Sequence, residues 1–197
     1  LKAANSPLYG FTREINSITQ AVGLFGMGTF RGFSLAMIIK NCFALDLSPY
    51  NISNAQFSDL SRAQIALAVT GYLRQKPAIM ELLSPASFLI EIGKVMISPY
   101  LIDEGKTELF KEKLEQAESV KALEEEVCET YPAEVSADIF DFWKFDEELI
   151  KLIRYAGQPD KCQGDELLQE ATKVLHVIRI ATGLDGVFTD ESLSKAK

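Results

Sequence analysis

One stretch constrains this chain more than any other. It is Ser84 to Ile97, reading Ser-Pro-Ala-Ser-Phe-Leu-Ile-Glu-Ile-Gly-Lys-Val-Met-Ile. Ser84 suits a helix N-cap and Pro85 a first helical position, where the missing N–H would be unpaired in any case. From Phe88 onward the stretch is apolar except at Glu91, Gly93 and Lys94. A helix apolar on nearly all sides is a buried one. The pattern therefore predicts a central core helix over 84–97, stopped by Pro99. Glu91 and Lys94 are three residues apart and can pair on one face. A carboxylate in such surroundings needs a partner, because its desolvation is otherwise uncompensated.

The flanking sequence predicts further helices and no strand of period two. Leu1 to Ser6 reads as the end of a helix, stopped by Pro7 and followed by a turn through Gly10. Ser17 and Gln20 match a capping box, with Gln20 placed to reach back to the Ser17 N–H. A short helix follows to Phe25, broken by Gly26-Met27-Gly28, and a longer one spans 29–44. Asp46 to Asn54 reads as a loop. Phe57 to Arg74 and Pro77 to Leu83 read as two helices before the central one. Lys106 to Tyr131 predicts one or two acidic surface helices, with Ser119 as a cap between them. Asp146 and Asp165 are N-cap candidates for helices 147–156 and 166–182, and acidic residues in a first turn suit the helix dipole. Gly157 to Gly164 reads as a loop and 189–197 as a polar tail.

Composition excludes several classes of function. The chain has 197 residues, 47% of them apolar and 24% charged, which is ordinary for a water-soluble globular protein. No apolar run approaches the ~18 residues of a membrane span, and no signal peptide is visible. The opening in mid-helix without Met leads us to expect N-terminal helices missing before Leu1. Cys42, Cys128 and Cys162 form no Cys-x-x-Cys pair, so reduced thiols in a cytoplasmic protein are expected. A single histidine, His176, rules out most histidine-rich metal sites, and its apolar setting suits a core or semi-exposed residue rather than a catalytic one. The net charge is −8, with residues 103–129 holding ten acidic and four basic residues. The reading of that run is a solvated face, and the acidic balance argues against nucleic acid as a main partner. No Gly-x-Ser-x-Gly elbow or P-loop occurs. The glycines at 23–28 follow a helix rather than a strand, which speaks against nucleotide cradling.

A family resemblance adds to this reading. The opening Leu1-Lys-Ala-Ala-Asn5-Ser6-Pro-Leu-Tyr9-Gly10 resembles the start of the HDOD (HD-related output domain) family. Ile15-Asn-Ser17-Ile18 and Gln20-Ala21-Val-Gly-Leu-Phe-Gly26 continue the likeness. Phe88-Leu89-Ile90-Glu91-Ile92-Gly93-Lys94 is similar to the Leu-Leu-His-Asp-Ile-Gly-Lys box of the HD-domain phosphohydrolases. Ala133-Glu134-Val135-Ser136-Ala137 with Phe140 and Trp143 resembles a later segment, as does Ile153 to Gly157. The resemblance implies one all-α, HD-type helical bundle over 1–197, whose enzymatic relatives bind metal through His and Asp. Here the matching positions hold Leu60, Ile90, Glu91, Pro132, Ala156 and Gly157, so the implied metal site is lost and neither metal nor cofactor is expected.

What the resemblance implies is a non-enzymatic, cytoplasmic, bacterial signal-transduction domain acting through protein–protein contacts. The alternative is a sensor that holds a nucleotide or other anion in the emptied pocket, and a cryptic hydrolase is the weakest reading. Candidate ligand or partner contacts are Asn5, Ser6, Arg31, Glu91, Lys94 and Arg154. The partner and the oligomeric state stay open.

Overall fold

The computed structural model describes residues 14–23, 30, 34, 45–72, 76–184 and 186. These residues form helices and connecting turns with no strand among them. A helical turn at 18–23 comes first, followed by a 3-10 turn at Ser48–Tyr50. The helices are then α1 (Asn54–Tyr72), α2 (Pro77–Leu89), α3 (Lys94–Asp103), α4 (Thr107–Gln116) and α5 (Val120–Cys128). They continue with α6 (Pro132–Phe142), α7 (Glu147–Tyr155) and α8 (Glu166–Ala181), with a second 3-10 turn at Pro159–Lys161 before α8.

Local signals explain several boundaries. The Ser17 Oγ accepts from the Gln20 N–H at 3.1 Å, as the capping box predicts. The Gln20 side chain reaches back one residue further than expected and accepts from the Asn16 N–H at 3.0 Å. Ser119 caps α5 through the Ala122 N–H, and Asp165 caps α8 through the Leu168 N–H at 2.8 Å. Asp146 stands at the N-cap of α7, but its side chain makes no capping bond.

The predicted central helix over 84–97 is corrected. Pro77 begins α2, and the helix runs through Ser84 and Pro85 to Leu89. The chain then turns at 90–93, and α3 begins at Lys94 and carries Pro99 inside it. Two prolines could each open a helix here, and Pro77 does so. Pro85 is buried inside α2, where packing outweighs its lost hydrogen bond. The expected short helix ending at Leu83 is thus the first half of α2.

Two apolar clusters form the interior. The larger draws on α1, α2, α6, α7 and α8, through residues such as Ile65, Leu83, Phe140, Leu152 and Leu175. In it α2 packs on α1, α7 and α8, and α6 packs on α7. The smaller joins the first 3-10 turn to α3, α4 and α5 through Leu47, Tyr50, Ile97, Leu101, Phe110 and Leu123. Within it Tyr50 and Phe110 meet edge to face at 5.2 Å. The turn at 90–93 passes from one cluster to the other, since Ile90 and Ile92 belong to the first and Ile97 to the second.

Candidate functional site

The site is built on that turn. Gly93 lies so close to the start of α6 that a Cβ added there would sit 2.1 Å from the Pro132 carbonyl oxygen. No other residue fits without moving backbone. The buried Ser136 hydroxyl fastens the same contact: it accepts from the Gly93 N–H at 2.7 Å and donates to the Ile90 carbonyl at 2.9 Å. The turn is thereby held at both ends, with Glu91 inside it and Lys94 directly after it both buried.

Glu91 and Lys94 are 4% and 1% exposed. Lys94 Nζ donates to Glu91 Oε2 at 2.5 Å, as the spacing predicts, although the pair sits on a turn rather than within one helix. Arg179 of α8 donates through Nε to Glu91 Oε1 at 2.8 Å. Lys94 also reaches Glu124 Oε1 of α5 at 3.4 Å, and the Gln64 amide of α1 donates to Glu91 Oε1 at 3.5 Å. Lys94 Nζ stands 5.0 Å from the centroid of the Tyr50 ring. Two cations and two carboxylates thus form one buried network that ties α5 and α8 to the turn.

The electrostatics of the two carboxylates differ. Burial pushes the Glu91 carboxyl upward, but Arg179 and Lys94 together overcome it and hold the group well below the usual carboxylate range. For Glu124 burial wins over the pull of Lys94 and Arg179, and its carboxyl is raised. Glu124 Oε2 and the Tyr50 hydroxyl lack hydrogen-bond geometry with any partner among the described residues. They still interact electrostatically, and Tyr50 is pushed well above the ordinary tyrosine range by burial and by Glu124.

Glu124 corrects the reading of residues 103–129 as a wholly solvated face, because it is fully buried. No local signal marks it, since it lies in a run of three glutamates. Arg179 was also missed. Its signal is an isolated cation inside the apolar run Val177 to Ile180, mirroring Glu91 inside Ile90 to Ile92.

A cavity of about 390 Å³ opens beside this network, between α5 and α8. Leu60, Glu91 and Gly157, three of the positions singled out by sequence, line it together with Lys94. Arg179, His176 and Lys121 also line it. His176 Nδ1 lies 2.7 Å from the Ala156 carbonyl, which can only accept, so Nδ1 carries the proton. Ile90 and Ala156 are buried in the larger core, and Pro132 is buried at the start of α6. Arg154 is not part of the cavity lining; it pairs with Asp138 at 2.8 Å. Asn5, Ser6, Tyr9 and Arg31 lie outside the described residues.

These residues do not fit a metal centre of the hydrolytic kind. Of the motif positions only Glu91 offers a ligating atom, and both its oxygens are engaged by cations. Among the described residues no group of three or more His, Cys, Asp or Glu side chains converges in a way that would hold a metal ion. Among the described residues the thiols offer no alternative chemistry, and Cys42 lies outside them. Cys162 is buried, and the Cys128 thiol is pushed up by burial and by Glu124. No helix among the described residues is long and apolar enough to cross a membrane.

Comparison with known proteins agrees with the geometry. A crystal structure of a virulence factor of Campylobacter jejuni superposes with a TM-score of 0.61 at 26% identity. That match covers 91% of this chain and 65% of the other. A protein from Shewanella amazonensis that carries the name phosphohydrolase superposes with a TM-score of 0.56 at 18% identity, covering 88% of this chain and 61% of the other. The chain therefore spans less than two thirds of the length of either structure, and the second likeness shows the fold alone. No curated protein sequence matches. The family model of the HDOD domain matches residues 1–159. The helical fold and this match agree, and the chain belongs to the HDOD family.

Proposed function

We propose that this chain is a non-enzymatic regulatory domain of bacterial signal transduction, acting in the cytoplasm through contacts with partner proteins. The observation that carries the reading is the state of Glu91. It is the one motif position able to ligate a metal, and Arg179 and Lys94 engage both its oxygens. Displacing them would leave buried cations without a counter-charge, which is strongly unfavourable. The centre that would activate water in an HD hydrolase is replaced here by internal ion pairing.

The test pairs an activity assay with capture of partners. Incubated with Mn²⁺ and a panel of phosphodiesters and nucleotides, the protein is expected to show no turnover above a metal-only blank. Hydrolysis that Glu91→Ala abolishes would refute the reading. Crosslinking in source cells, followed by mass spectrometry, is expected to return a stoichiometric protein partner.

The cavity favours a second reading, a small-molecule sensor. Its volume falls at the small end of the ~300–1,000 Å³ typical of ligand pockets. A ligand at 100-fold its Kd would stabilise the domain by about 2.7 kcal/mol, which thermal shift detects readily.

A further inference from the structure

We propose that the cavity between α5 and α8 binds a small organic monoanion that also carries a hydrogen-bond donor. The inference deepens the sensor reading and rests on it.

Three side chains define the ligand chemistry. Arg179 is fixed through Nε on Glu91, while its terminal amino groups, Nη1 and Nη2, make no hydrogen bond to the described residues. A guanidinium held in this way offers a fork suited to a carboxylate or phosphate oxygen pair. Lys121 adds a second cation on the cavity wall, with Nζ 2.5 Å from Glu125 and 4.4 Å from the centroid of the Tyr131 ring. Its place depends on Gly157: a Cβ there would lie 2.7 Å from Lys121 Cε and 2.8 Å from the Tyr131 ring. His176 donates through Nδ1 to Ala156, so Nε2 of the neutral ring keeps a lone pair for a donor on the ligand. His176 and Arg179 are three apart on α8, which places anion and donor sites on one helix face.

The walls limit the ligand further. Leu60, Val120 and Ile180 supply apolar surface for an organic body. Three cationic and two acidic side chains line the cavity, a balance of +1 with His176 neutral. Glu91 and Glu118 on these walls oppose additional negative charge, so a polyphosphate suits the cavity less well than a monoanion. His176 and Arg179 also lie beyond residue 159, where the family match ends. The cavity chemistry thus joins two side chains of α8 to Lys121 of α5.

Isothermal titration calorimetry of the full chain tests the inference. The probes are 3- and 4-hydroxybenzoate, with benzoate, the matching neutral hydroxybenzyl alcohols and ATP as comparisons. Hydroxybenzoate is expected to bind more tightly than each comparison. Lys121→Met and Gly157→Ala are each expected to weaken it by about tenfold, the effect of one charge-assisted contact. His176→Asn keeps a donor for Ala156 but removes Nε2, and is expected to erase the preference for hydroxybenzoate over benzoate. Melting curves check that each variant is folded; should Gly157→Ala not fold, Lys121→Met decides.

No heat with either hydroxybenzoate up to about 10 mM, or binding unchanged in Lys121→Met, overturns the inference. Tighter binding of ATP or of the neutral alcohols overturns it too, and the ATP result would leave the sensor reading standing. Metal-dependent hydrolysis by the same preparation would overturn the non-enzymatic reading without bearing on this binding.

Discussion

Replacing Arg179 with Met gives the sharpest test of the buried network. Arg179 is 13% exposed in its side chain and supplies one of the two cations that hold Glu91 ionised. Without it, Lys94 alone faces both Glu91 and Glu124, and the interior carries an excess negative charge. Breaking a buried pair from one side costs about 3–5 kcal/mol. Lys94 remains in contact, so the lower end, about 3 kcal/mol, is expected near pH 8. For a domain of this size that is a fall in melting temperature of about 6–12 °C.

The pH dependence has a definite sign. In the parent protein Glu91 is depressed below its unfolded value, so its contribution is present above that value and is lost only in strong acid. In Arg179→Met, burial acts on Glu91 with less opposition and its folded value rises. The variant then binds more protons folded than unfolded, and its deficit shrinks as pH falls from 8 toward 5. Urea denaturation at several pH values measures this directly. Adding Glu91→Gln restores neutrality to the remaining Lys94–Glu124 pair, and the double variant is expected to recover more than half of the loss. A loss below about 1 kcal/mol, or one independent of pH, would refute the account of a charge-balanced interior.

Three further outcomes follow from the geometry. Gly93→Ala drives a Cβ into the Pro132 backbone and is expected to cost about 3 kcal/mol, the upper end for overpacking, read as a lower urea midpoint. Ser136→Ala unties the Gly93 N–H and the Ile90 carbonyl and is expected to cost about 1–3 kcal/mol in the same assay. Alkylation of the native protein at pH 8 is expected to label Cys128 more slowly than a free thiol, because burial and Glu124 raise it, and to spare buried Cys162; mass spectrometry of the modified protein reads both.

What was legible in the sequence divides along the range of the interaction. Ser119 and Asp165 were identifiable as caps because a cap bonds within three residues of itself. The pairing of Glu91 with Lys94 was legible for the same reason. The split at 90–93 was not, because Ser84-Pro85 carries a start signal as good as that of Pro77. The choice between them depends on Gly93 meeting Pro132, 39 residues away in the chain. Glu124 and Arg179 were hidden by distance as well. Glu124 looks like its exposed neighbours until Lys94 is placed beside it, and Arg179 lies 88 residues from the carboxylate it serves. Arg154, a candidate ligand or partner contact, does not line the cavity and pairs with Asp138, 16 residues before it in the chain.

The bond from Arg179 to Glu91 makes α8 something other than an appendage to the family-matched stretch. A chain cut at residue 159 would lose the counter-charge of its central carboxylate and also Leu168, Ala171, Val174, Leu175 and Ile178 from the larger core. Residue 159 therefore marks where the family match stops, while the larger core continues into α8. Helix α8, the last of the described helices, acts as a keystone that completes the charge balance at the centre. Whatever moves it, whether a ligand beside His176 or a partner against its outer face, would be felt at once in the turn that joins the two cores.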